Sequence, residues 1–155
     1  MKFGPVATAQ AEGGILAHSL RTESLVLKKG EVLTRAHVAA LQDAGLNEIV
    51  VAQMEPGDIS EDEAAARVAL AISGDYVRVD AAFTGRANLF AQCNGVLVAA
   101  PALVDALNDV DEQVTLATLP HHRAVVEGEM IGTVKVIPFA VAEKTVLRAM
   151  DAFPS

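Results

Sequence analysis

The stretch LKKGEVLTRAHVAALQDAGLNEIVV, residues 27–51, holds a turn, a capped helix, a glycine stop and a strand in succession. Lys28-Lys29-Gly30 lies between Leu25-Val26-Leu27 and Glu31-Val32-Leu33 and reads as a hairpin, with glycine supplying the positive φ. Thr34 then serves as N-cap for a helix over 35–44, because its hydroxyl can accept from an otherwise orphaned amide. Val38, Leu41 and Ala44 recur on one face, and Gly45 supplies the stop. Ile49-Val50-Val51 reads as the strand that follows, closed by Pro56-Gly57. Before this stretch, residues 15–20 leave the Gly13-Gly14 turn as a further strand.

Beyond it, Ser60-Glu61-Asp62-Glu63 has the form of a capping box opening a helix over 61–72, its acids complementing the helix dipole. The same acid triplet has a second reading as a metal site, but the helix start accounts for all three carboxylates without one. Residues 76–80 alternate as a half-buried strand does. Asn94-Gly95, between Leu89-Phe90-Ala91 and Val96-Leu97-Val98, is the strongest hairpin signal in the chain. Pro101 suits the first turn of a helix through about 107, and 114–119 and 130–136 read as strands. Glu127-Gly128-Glu129 reads as a turn leading into the second of these, and Pro138 as a strand end. A final helix covers 143–152, with Val146, Leu147 and Met150 on its apolar side. Short links predominate over crossovers, so the expected fold class is α+β: a mixed or antiparallel β-rich module with two or three short helices. There is room for two small sub-domains, 1–58 and 59–155, with the boundary inside 55–59.

Composition narrows the function. Of 155 residues 52% are hydrophobic and only 4% aromatic, with no Trp, so the core is built from aliphatic side chains. A net charge of −8 argues against a nucleic-acid partner, which needs a concentrated basic face. No apolar run approaches the roughly 20 residues that span a bilayer, and no signal-peptide core is visible, so no membrane partner is expected. Cys93, the single cysteine, has no intramolecular disulfide partner, which suits the cytoplasm.

Motifs that carry chemistry are sparse. The chain has no P-loop, GxGxxG, GxSxG or zinc-type His/Cys spacing. His121 and His122 fall in a loop after Pro120 and read as solvated, since neighbours chelate poorly unless the backbone bends. His18 and His37 read as isolated boundary residues, and Cys93 as an ordinary thiol. The best site candidate is Thr84-Gly85-Arg86 with Asn88, where amides, a hydroxyl, a guanidinium and a carboxamide can meet around an oxyanion. Its competitor is a bent strand connection in which Arg86 pairs with a local acid and Asn88 satisfies backbone groups.

Residues 27–51 resemble a segment of molybdopterin molybdenumtransferases, matching at Gly30, Leu33, Thr34, Leu41, Ala44, Gly45, Glu48 and Val50. MEPGDISEDEAA (54–65), AAFTGRANLFA (81–91), DEQVTLATLP (111–120) and GEMIGTVKVIPFAV (128–141) resemble the N-terminal region of bifunctional molybdopterin-binding proteins that carry a nucleotidyltransferase-like domain. In those proteins this region precedes the molybdopterin-binding and nucleotidyltransferase-like domains, whose glycine-rich motifs do not occur here. The resemblance therefore implies context: a non-catalytic accessory or ligand-positioning module in molybdenum cofactor biosynthesis, with molybdopterin as the associated cofactor and none bound by motifs of its own. It implies either a piece of a longer protein, with those downstream domains as partners, or a stand-alone form. Two other readings remain beside it. One is a small enzyme or anion-binding domain centred on Thr84, Gly85, Arg86 and Asn88, with His121 or His122 as acid/base. The other is a homodimer scaffold pairing exposed β edges.

Overall fold

The computed structural model describes residues 1–153, arranged as two compact units, Met1–Pro56 and the described residues from Gly57 onward. The fold class is α+β, and the paired strands run antiparallel.

The first unit contains β1 (Lys2–Ala7), a 3₁₀ turn (Thr8–Gln10), β2 (Ile15–Leu16), β3 (Leu20–Arg21), β4 (Val26–Leu27), α1 (Arg35–Asp43) and β5 (Glu48–Gln53). β5 is the central strand of a three-stranded sheet, with β1 on one side and β2 on the other. α1 starts where a capping box holds it. Thr34 Oγ1 accepts from the His37 amide at 3.2 Å, and His37 Nδ1 accepts from the Thr34 amide at 3.4 Å. A histidine thus takes the position usually held by glutamate. Gly45, at φ +79, ends the helix with its amide donating to Gln42 O at 2.9 Å. Val38 and Leu41 are buried with Leu16, Leu27, Leu33 and Val51, while Ala44 is exposed.

The expected hairpin around Lys28-Lys29-Gly30 is not formed. The turn exists, with Gly30 at φ +86 and the Glu31 amide donating to Lys28 O, but its two arms take different partners. β4 pairs back onto β3, and Val32 bridges Ile15. This arrangement buries Leu16, Leu27 and Leu33 together, each 1% exposed, which a local pairing of the arms does not require.

The second unit runs β6 (Asp58–Ser60), α2 (Glu61–Ile72), β7 (Val77–Val79), β8 (Arg86–Ala91), β9 (Gly95–Val96), α3 (Pro101–Asn108), β10 (Val114–Thr118), β11 (Ala124–Val125), β12 (Met130–Val136), β13 (Ala140–Ala142) and α4 (Glu143–Asp151). Its main sheet has the order β10-β12-β8-β7. Ser60 caps α2 by accepting from the Glu63 amide at 3.3 Å. Glu63 does not reach back to complete a box, because its carboxylate pairs with Arg67 one turn on. Ala64, Ala65, Val68 and Ala69 of α2 share one core with Ala87, Leu89, Val134 and Val136 of the sheet. α4 buries Thr145, Val146 and Ala149, so Leu147, expected on its apolar side, is exposed.

The Asn94-Gly95 hairpin is also absent. β8 already has β12 on one edge and β7 on the other, so no edge is left for residues 96–98. β9 pairs with β11 instead, and Asn94 Oδ1 accepts from the Glu127 amide at 2.9 Å.

Candidate functional site

Thr84 and Gly85 form the two central positions of a tight hairpin turn, at φ +51 and +71. Phe83 and Arg86 exchange backbone hydrogen bonds across it at 2.9 and 3.2 Å. Positive φ at both central residues is the signature of a type I′ turn, whose twist matches the strands it joins. Glycine is required at 85 on two grounds. The backbone is left-handed there, and a Cβ would lie 2.5 Å from Val136 O.

This turn does not gather donors around a vacant point. The Gly85 amide donates to the Asp62 carboxylate at 2.7 Å, so an acid from the first turn of α2 already occupies the donor expected to face an anion. Thr84 is exposed. Arg86 begins β8, exposed and with no carboxylate partner among the described residues, contrary to the local ion pair of the competing reading. Asn88 is half-buried within β8, opposite Thr133. Arg86 and Asn88 do share a face, because side chains two apart on a strand point the same way.

The acid triplet divides its labour in a way its spacing did not reveal. Asp62 anchors the turn, and Glu63 and Glu143 both bind Arg67. These two partners, Glu143 foremost, raise the guanidinium's pKa. Among the described residues no group of three His, Cys, Asp or Glu side chains is placed to hold a metal ion.

The histidine loop bends more than expected. His122 sits at φ +63 and its amide donates to Leu97 O at 2.8 Å, which brings the two imidazole centroids within 3.7 Å. His121 is half-buried rather than solvated, and its Nδ1 is shielded without a hydrogen-bond partner. His18 is exposed, His37 is a helix cap, and Cys93 is an exposed free thiol.

The second unit holds an open cleft of about 930 Å³. Its walls are mainly aliphatic, with Leu89, Leu103, Leu116 and Ile131 among them, and Ser73, Asp75, Tyr76, Cys93 and Thr118 supply the polar side chains. Tyr76 stands 70% exposed beside it at φ +64, a backbone conformation uncommon for tyrosine. No motif marks this cleft in the sequence, because its lining is drawn from 72–77, 89–103, 116–132 and Phe153. Only strand pairing brings those segments together.

Residues 5–53 match the model of a domain of unknown function, DUF8806. The match lies within the first unit. Neither a curated protein nor a solved structure matches the chain. No described helix is long and apolar enough to cross a membrane.

Proposed function

We propose that the chain is a non-catalytic accessory module of molybdenum cofactor biosynthesis, whose second unit receives and positions a pterin in its cleft. The cleft is the observation that carries the binding half of this reading. Its volume of about 930 Å³ falls in the range of small-molecule sites, and its walls are aliphatic with a few polar side chains. Acid–base chemistry calls for paired titratable groups within hydrogen-bond reach of a reacting atom. Here Asp75, Tyr76 and Cys93 are the titratable side chains of the lining, and no hydrogen bond joins any two of them among the described residues. Flat ring faces would lie against Leu89 and Leu116, with Ser73 and Thr118 available to the polar ring edge. The pathway half rests on the resemblance of residues 54–65, 81–91, 111–120 and 128–141 to the region that precedes molybdopterin-binding and nucleotidyltransferase-like domains. Such domains would be the partners to which a held pterin is presented.

The chain contains no Trp and a single Tyr, so an oxidised pterin can be followed by its own fluorescence during titration. Saturable binding that falls at least tenfold in Val98→Asp, an exposed rim position, is the expected result. Absence of saturable binding, or binding indifferent to Val98→Asp, would sink the ligand assignment. Loss of the chain from its native host should lower molybdopterin content, and an unchanged content would remove the pathway assignment.

A further inference from the structure

β8 alternates cleanly. Ala87, Leu89 and Ala91 are buried, whereas Arg86, Asn88 and Phe90 lie on the opposite face. β12 pairs with it so that Lys135 stands directly across from Arg86, and Thr133 across from Asn88. Directly opposed residues of an antiparallel pair have Cβ atoms about 5 Å apart, and like charges in that position are destabilising. Arg86 and Lys135 are both exposed, and neither has an acid partner among the described residues.

A shortage of acids is not the cause. The chain has 20 acidic residues against 12 basic ones. The guanidinium groups of Arg67, Arg78 and Arg123 are each matched, to Glu63 and Glu143, to Asp80 and to Glu129 respectively. Arg21, Lys28, Lys144 and Arg148 also have no acid partner among the described residues, so what distinguishes Arg86 and Lys135 is that two unmatched cations stand directly opposite each other on one ladder. Beside them lie the half-buried Asn88 and the Thr133 hydroxyl, which is shielded from solvent and has no hydrogen-bond partner.

We infer that this outer face of the four-stranded sheet binds the phosphate of a small phosphate ester, with Arg86 and Lys135 as its cationic clamp and the half-buried Asn88 as a neighbouring donor. A guanidinium fork matches two phosphate oxygens, and an ammonium opposite it serves a third. One such pair is too small to track a nucleic-acid backbone, which engages many phosphates in series. The site differs from a turn-centred one at Thr84-Gly85, where the amide is taken by Asp62. It also stands independently of the pterin cleft.

Inorganic pyrophosphate is the probe, titrated into the ¹⁵N-labelled chain, with citrate at matched ionic strength as the control for charge alone. Saturable shifts concentrated at the amides of Arg86, Asn88, Thr133 and Lys135 are expected, at least tenfold weaker in Arg86→Gln and in Lys135→Gln. Without anion, both variants should melt at or above the parent temperature, since each removes the repulsion, and both should lose the rise that pyrophosphate gives the parent. Non-saturable shifts, equal binding of citrate, or binding unchanged in both variants would each overturn the assignment. So would variants that melt earlier while binding pyrophosphate as the parent does.

Discussion

The two units bury their apolar surface with different side chains. In the first, Leu16, Leu27, Leu33 and Leu41 close a small core around one short helix and strands that are mostly two residues long. In the second, Ala64, Ala65, Ala69, Ala87 and Ala91 belong to the core where α2 and the sheet meet, with Val68, Val134 and Val136 beside them. Large side chains can fill the gaps left by irregular backbone, so the first unit depends on volume. Small ones let regular elements lie close, so the second depends on nothing being added. Truncation should therefore threaten the first unit, and enlargement the second.

The largest expected effect follows from enlargement at the closest point. Gly85→Val places a β-branched side chain at φ +71 with its Cβ 2.5 Å from Val136 O. A cost of about 4–5 kcal/mol or more is expected, in the class of exceptional single-site losses. Amide hydrogen exchange of the whole chain should show residues 57–153 losing protection while 5–53 keep theirs. Equal loss in both units would break the comparison.

Truncation comes next. Leu41 is fully buried in the first unit, and Leu41→Ala should cost about 2–5 kcal/mol. Leu107→Ala, at an equally buried site of the second unit, removes the same group from a larger core. Denaturant melts read by hydrogen exchange should show Leu41→Ala opening its unit at lower denaturant than Leu107→Ala opens the other. The reverse order would mean that core size is not what separates them.

Smaller effects sharpen the picture. Asp62→Ala deletes the carboxylate that accepts from the Gly85 amide at 2.7 Å, and a charge-assisted bond of this kind is worth about 1.5–3 kcal/mol. Its loss should show first in faster exchange at Gly85 and its neighbours. The two helix caps then offer a matched pair, Ser60→Ala for α2 and Thr34→Ala for α1. Each should cost about 1 kcal/mol, because a cap satisfies one local amide whatever core the helix packs on. A cap effect several times larger in one unit would show that helix to be the less supported by packing.

What could be read along the chain was local. α2 spans Glu61–Ile72 and β12 spans Met130–Val136, as the spacing of their side chains implies. Thr34, Ser60, Gly45 and Gly30 take the cap, stop and turn conformations expected of them. A helix cap or a positive-φ turn depends on neighbours within about four residues, so the sequence alone determines it.

Partners for strands were not legible. Asn94-Gly95 carries a strong hairpin signal, yet β8 had no vacant edge, and the turn residues serve β9 and the loop at Glu127 instead. Lys28-Lys29-Gly30 makes its turn, but the burial of Leu27 and Leu33 of its arms with the more distant Leu16 determines where each arm pairs. The candidate site divides along the same line. Arg86 and Asn88 could be picked out by residue type, and their common face follows from strand periodicity. That Lys135 stands opposite Arg86, that Asp62 takes the Gly85 amide, and that a cleft opens among residues from 72 to 153 follow only from tertiary pairing. Ladder edges and apolar faces are filled by whichever segments bury the most surface without leaving amides unpaired, and that competition is decided across the whole unit at once.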